Sequence, residues 1–161
     1  MDKIKFGTDG WRAIIAKDYT VNNVRRVAEA TAQWILNNGG KQAVIGYDCR
    51  FGGQLFADTT AGVFASYGIT SVISNNFSST PMVSLATLKT ESTLGVVITA
   101  SHNPPDYNGL KMMIGGHTLY GEDITGLYDA IEASQLVEGE GSISEADALT
   151  PYLTQIIADI H

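Results

Sequence analysis

The apolar run Leu94 to Ile98 ends abruptly against Thr99-Ala100-Ser101-His102-Asn103-Pro104-Pro105. Its length and its β-branched Val96, Val97 and Ile98 suit a buried strand. The two prolines after Asn103 forbid continuation of a strand or helix and impose an extended or turning backbone. A hydroxyl, an imidazole and an amide are therefore presented at the carboxyl end of a core strand. In an open α/β sheet that edge is where ligands bind. After the turn Asp106-Tyr107-Asn108-Gly109 a second apolar run begins, with Lys111 close to its start. This hairpin-like unit is expected to hold Ser101 and Lys111 near one another.

The rest of the chain supplies the layers such a strand needs. Ile4 to Ala16 reads as a strand or strand pair interrupted by Gly7-Thr8-Asp9-Gly10, with Trp11 and Arg12 following. Val24, Val27, Ala28, Thr31, Trp34 and Ile35 recur at helical spacing, with Trp34 expected in the core, until Asn37-Asn38-Gly39-Gly40 stops the pattern. Ala43 to Tyr47 is a strand ending in Asp48-Cys49-Arg50. A second helix runs through Leu55, Phe56, Val63 and Phe64 to Gly68, and Ile69 to Ile73 is another strand. Thr80 reads as an N-cap with Pro81 opening a short helix through Leu88. Ile124, Leu127, Tyr128 and Ile131 make a further helix face, and Pro151 to Ile160 a last one with Leu153, Ile156, Ile157 and Ile160 on one side.

Helices separating the early strands predict a three-layer α/β/α sandwich on a mostly parallel, mixed sheet. The last strand is expected to run antiparallel to its predecessor at an edge. Glu138-Gly139-Glu140-Gly141-Ser142 is the one convincing linker. Residues 1–137 are thus read as one domain, and 138–161 as a linker and helix leading toward a second domain that the chain lacks.

Composition narrows the chemistry. At 161 residues with formal charge −7, the chain lacks the basic face that nucleic-acid binding wants. A local group of Arg and Lys can still override that field for a phosphorylated substrate. No apolar run approaches the ~20 residues needed to span a bilayer. The N-terminus carries no secretory pattern, so no membrane role and a cytoplasmic location are expected. Cys49 is the single cysteine, read as a half-buried, inert residue without an internal disulfide partner. His102, His117 and His161 show no metal-ligand spacing, and His117 reads as exposed filler.

Ser101 beside His102 invites a hydrolase reading, but there is no Gly-x-Ser-x-Gly elbow. On an extended backbone, moreover, neighbouring side chains point apart. A phosphoryl carrier asks instead for an exposed hydroxyl on a rigid loop with cations nearby, because phosphoryl transfer is mostly positioning and electrostatics. Ser101 meets that need, with Lys111 and Arg12 as candidate cations. Read alone, Arg12 is as well explained as a solvated surface arginine. Asp48 and Arg50 are either a strand-end ion pair or a brace for the loops.

Three ordered strings, GTDGWR at Gly7–Arg12, TASHNP at Thr99–Pro104 and YNGLK at Tyr107–Lys111, resemble the phosphoglucomutase and phosphomannomutase family, the α-D-phosphohexomutases. The resemblance covers nearly the whole chain but only the first of that family's four domains. It implies a phosphosugar mutase that interconverts hexose 1-phosphate and hexose 6-phosphate through a phosphoserine at Ser101 and a bisphosphorylated sugar. It implies catalytic roles for Ser101, His102, Lys111 and Arg12, with Arg12, Lys111 and His102 also on substrate phosphate. It further implies Mg²⁺ bound to the Ser101 phosphate and a hexose 1,6-bisphosphate activator. The family's metal-binding Asp-Gly-Asp-x-Asp-Arg string is absent, as are its sugar-recognition loop and terminal phosphate-binding domain. The partners expected are therefore a hexose phosphate and the remaining domains of the same protein, and the chain alone is expected to fold without catalysing. The alternative is a phosphosugar-binding or regulatory module without turnover.

Overall fold

The computed structural model describes residues 4–115, 117–118 and 141–160. The helix face expected at Ile124–Ile131 and the boundary expected between residues 137 and 138 lie outside them. Eight strands form one sheet: β1 (Phe6–Gly7), β2 (Gly10–Ile14), β3 (Gln42–Tyr47), β4 (Thr70–Ser74), β5 (Leu94–Ile98), β6 (Tyr107–Ile114), β7 (His117–Thr118) and β8 (Ile143–Ala146). Among the described residues four helices accompany them: α1 (Val21–Asn37), α2 (Gly53–Ser66), α3 (Thr80–Lys89) and α4 (Leu149–Ile160). The strand order is β1-β2-β6-β5-β3-β4-β8, with β7 pairing on β6.

Period-two alternation sorts the strand residues between two faces. Ala43, Ile45, Leu94, Val96, Ile98, Leu110 and Met112 face the cluster built by α1 and α2. Val44, Val97 and Met113 face the other way, onto Val83 of α3. The three layers of the expected α/β/α sandwich are therefore present. β3 pairs in parallel with β4 and β5, and β4 with β8. β6 runs against both β5 and β2, so β2 points the same way as β5. The carboxyl ends of β2, β3, β4 and β5 thus share one edge of the sheet.

Several expectations need correction. β6 is antiparallel to β5 but is not an edge strand, because β2 pairs along its far side, Trp11 opposite Leu110 and Arg12 opposite Gly109. The strand β8, pairing Ser71–Ser74 with Ile143–Ala146, was not expected: all four of its residues are exposed and carry no apolar alternation. The N-cap of α3 is Ser79, one residue before Thr80, with Pro81 still in the first turn. Trp34 is partly buried, packing against the main cluster from its rim. Cys49 is exposed, because it lies in the turn after β3. Among the described residues no helix is long and apolar enough to cross a membrane.

Tyr19 ties this core to the sheet edge. It is fully buried, stacks on Trp11 at 4.5 Å between ring centroids, and meets Phe56 edge-on at 4.7 Å. Its hydroxyl donates to the Gly109 carbonyl at 2.8 Å. Burial, and secondarily the Asp48 carboxylate, push the phenol well above its ordinary range. An unfolded chain ionises Tyr19 at about pH 10 whereas the folded one keeps the proton, so this contribution is intact below pH 10 and falls as pH rises beyond it. Tyr19→Phe is expected to cost about 1 kcal/mol at pH 7 and to flatten the stability loss above pH 10. Urea unfolding between pH 7 and pH 11 measures both effects.

Candidate active site

Two loops leave parallel neighbours β3 and β5 at the shared edge, and one side chain joins them. Arg50, three residues beyond β3, is directed across the loop that follows β5. Its Nη1 donates to the carbonyls of Pro104 at 2.7 Å and Tyr107 at 3.0 Å. Its Nη2 donates to Ser101 at 2.8 Å and Asn103 at 2.6 Å. Asp48 holds the guanidinium from behind, Oδ2 lying 3.4 Å from Nε. The same carboxylate accepts the Arg50 amide at 3.1 Å and the Thr99 hydroxyl. Thr99 Oγ1 then accepts the Ser101 amide at 3.0 Å. Of the two readings open for Asp48 and Arg50, the loop brace is the one realised, and the ion pair is part of it.

The brace matters because Ser101 is strained. Its φ is +52°, the left-handed region that costs an ordinary residue roughly 1–2 kcal/mol. The Asn103 amide closes a four-residue turn onto the Ala100 carbonyl at 3.0 Å, with Ser101 and His102 at its tip. This corrects the extended backbone assumed for Ser101 and His102: the chain turns there, and both residues are exposed. A charge-assisted bond from a guanidinium is worth ~1.5–3 kcal/mol. Four such bonds outweigh the strain even after allowance for their partial exposure.

On the α3 side of the sheet Arg12 and Lys111 come together. Gly109 opposite Arg12 is tightly enclosed: an added Cβ would lie 2.5 Å from the Thr99 carbonyl oxygen, 2.7 Å from that of Trp11 and 3.0 Å from Arg12 Cγ. The Arg12 stem therefore lies over bare backbone, and its Nη1 donates to Asn103 Oδ1 at 2.9 Å. Asn103 shapes the loop, as its position after the serine suggests. Arg12 Nη2 and Lys111 Nζ both face Asp9, at 3.4 Å and 3.6 Å. The structure thus gathers Arg12, Lys111 and the serine loop, with Asn103 as the link.

Asp9, Thr99 and Tyr19 were not singled out by the sequence reading. Asp9 lies inside GTDGWR, where its spacing to Arg12 was a usable signal. Thr99 and Tyr19 act through backbone groups and leave no pattern. Among the described residues no group of three or more His, Cys, Asp or Glu could hold a metal ion.

Arg50→Ala and Arg50→Lys should both speed hydrogen exchange at the Asn103 and Tyr107 amides by roughly tenfold or more, the equivalent of losing one charged hydrogen bond. Lysine fails because a point charge cannot serve four carbonyls in a plane. Amides in the middle of α1 should change little. Native-state exchange followed by NMR reads both regions together.

Residues 3–138 match the family model described as phosphoglucomutase/phosphomannomutase, alpha/beta/alpha domain I. A phosphoglucomutase from Neisseria meningitidis serogroup B is 35% identical over 151 residues, covering 92% of this chain and 33% of the relative. A phosphomannomutase/phosphoglucomutase from Pseudomonas aeruginosa is 32% identical over 149 residues, covering 92% and 32%. A solved family protein from Burkholderia thailandensis superposes with a TM-score of 0.85 at 28% identity, covering 98% of this chain and 36% of that one. The chain spans about a third of the length of the curated relatives it matches. By its fold, its serine loop and these likenesses, the chain belongs to the phosphoglucomutase/phosphomannomutase family, as its α/β/α domain I.

Proposed function

We propose that this chain is the serine-bearing domain of a phosphosugar mutase, an intramolecular phosphotransferase that interconverts a hexose 1-phosphate and a hexose 6-phosphate. One observation carries the reading. Ser101 is exposed on a strained, Arg50-braced turn, and that turn is tied through Asn103 to the Arg12–Lys111 pair. This is an exposed hydroxyl on a braced turn, linked to held cations, which suits what a phosphoryl carrier requires.

In the reaction, phosphoserine 101 transfers its phosphoryl group to the free hydroxyl of the bound hexose phosphate. The P–Oγ bond breaks as the bond to the sugar oxygen forms, and the hydroxyl proton passes to a base. The bisphosphorylated sugar then reorients and returns its other phosphoryl group to Ser101. Arg12 and Lys111 stabilise the charge of the transferring group. The proton is assigned in this reading to His102 or Lys111. A hexose 1,6-bisphosphate primes Ser101 when it is unphosphorylated.

For Mg²⁺ this chain offers a phosphate oxygen on Ser101, a hard donor of the kind that ion prefers. When bound, the ion offsets phosphoryl charge. The remaining ligands and the sugar-recognition wall are assigned to other domains of the full protein, in keeping with the third of the relatives' length that this chain spans. Charged hexose phosphates do not cross bilayers, so a cytoplasmic setting belongs to the same reading.

Incubating the full-length protein with labelled hexose 1,6-bisphosphate and mapping peptides should place the phosphate on Ser101. Label on Ser78, Ser79 or a threonine with Ser101 clean would refute the assignment. Ser101→Ala should abolish turnover. Arg12→Ala and Lys111→Ala should each lower kcat on the order of 10²-fold, as for other preorganised charge donors. Stability should fall by no more than about 1–2 kcal/mol, because the shared partner Asp9 is more than half exposed while Arg12 also gives up its bond to Asn103. A large melting-temperature loss with normal turnover would make them structural instead.

A further inference from the structure

Arg12 and Lys111 already share an anion that belongs to the chain. The two carboxylate oxygens of Asp9 are divided between them, Oδ2 toward Arg12 Nη2 at 3.4 Å and Oδ1 toward Lys111 Nζ at 3.6 Å. Two oxygens of one phosphate would span the same pair of cations. The carboxylate is the outermost member: its side chain is 55% exposed, against 21% for Arg12 and 18% for Lys111. Both separations exceed the 2.7–3.2 Å of a well-made N–H···O bond, whereas Arg12 holds Asn103 at 2.9 Å through its other nitrogen. Arg12 therefore keeps its place on the loop when Asp9 lets go.

The backbone beneath Asp9 is fixed, so release falls to the side chain. Thr8 and Asp9 form the tip of the β1–β2 hairpin, where Gly7 pairs with Gly10. Gly10 has φ +92°, and a Cβ there would lie 2.4 Å from the Leu110 carbonyl oxygen, so the tip is pressed against β6. A solvent-open groove lined by Lys5, Thr8, Asp9 and Arg12 borders the carboxylate. From this geometry we infer that Asp9 is an internal competitor of phosphate: its carboxylate offsets half the charge of Arg12 and Lys111 and must rotate away when a phosphoryl group engages them. A dianionic phosphate outbids one carboxylate where a singly charged anion gains little, so Asp9 sets which anions the pair accepts. The inference rests on the reading of this pair as a phosphate site.

The test titrates the 161-residue chain with inorganic phosphate at pH 7.5 and fixed ionic strength, following the Arg12 guanidinium and the Ser101–Asn103 amides by ¹⁵N NMR. Asp9→Asn removes the charge with little change of shape, and Asp9→Ser repeats the removal with a different turn residue. Asp106→Asn, an exposed acid at the end of the serine loop, controls for the lower net charge. Releasing two partly exposed ion pairs of a few tenths to 1 kcal/mol each should tighten phosphate binding about threefold to thirtyfold in both Asp9 variants. The Asp106 variant should stay within about twofold of the parent. If Arg12→Ala weakens phosphate binding but the Asp9 variants match Asp106→Asn or bind more weakly, the phosphate site stands and the competitor role falls. If phosphate shifts neither the parent nor the Asp9 variants, both fall together.

Discussion

Four hydrogen bonds from one guanidinium hold the turn that presents Ser101. A hydroxyl at the end of a strand is commonplace; a hydroxyl held at φ +52° on a loop that cannot relax is not. Arg50 supplies the restraint by engaging carbonyls on both sides of the turn, from Ser101 to Tyr107. The bonds converge from one rigid plane, so moving any one acceptor disturbs the others. Asp48 fixes that plane and, through Thr99, reaches the Ser101 amide as well. A proline pair limits the loop's freedom but cannot choose among its conformers. The guanidinium does that.

The parallel pairing of β3 with β5 makes this possible, because parallel neighbours end at the same edge. The antiparallel part of the sheet has a different task. By running back between β5 and β2, β6 places Lys111 opposite Val97 and Gly109 opposite Arg12. Both cations then stand on the α3 face, next to the loop that Arg50 braces from β3. Gly109 is the tight point: Thr99, Trp11 and Arg12 close on it at once, and Tyr19 bonds its carbonyl from the core. Sheet register, rather than loop chemistry, decides where the charge goes.

Those two halves were unequally legible from sequence. Strands β3, β4 and β5 and helices α1 and α2 announce themselves, since continuous apolar runs and 3.6-residue spacing are local properties. The glycines between β1 and β2 left open whether Ile4 to Ala16 is one strand or a pair, and the structure makes it a pair. The placement of β6 inside the sheet was not legible, because pairing Trp11 with Leu110 is a contact across the whole chain that no local pattern encodes. Strand β8 is four exposed residues with one large apolar side chain, and only its partner β4 makes it a strand. Ser101, Lys111 and Arg12 could be picked out as candidates because a hydroxyl and two cations are visible as residue types. The reach of Arg50 could not, since its acceptors are backbone carbonyls that any residue would supply. Cys49 was misjudged for a related reason: its type suggests burial, but its position in a turn decides exposure.

Charge distribution completes the argument. The chain is acidic, 17 Asp and Glu against 10 Lys and Arg, yet Arg12, Arg50 and Lys111 all work at one end of one sheet. Each is handled differently. Arg50 is spent on carbonyls and Asp48, so its charge holds shape and is not offered to a ligand. Arg12 divides its two terminal nitrogens between Asn103 and Asp9, and Lys111 faces Asp9. The three cations and the two carboxylates that face them leave one net positive charge at this edge. At a Debye length of about 8 Å in physiological salt, its reach into solvent is short. In a chain of net charge −7, a cluster of this kind acts on anions at close range rather than steering them from afar.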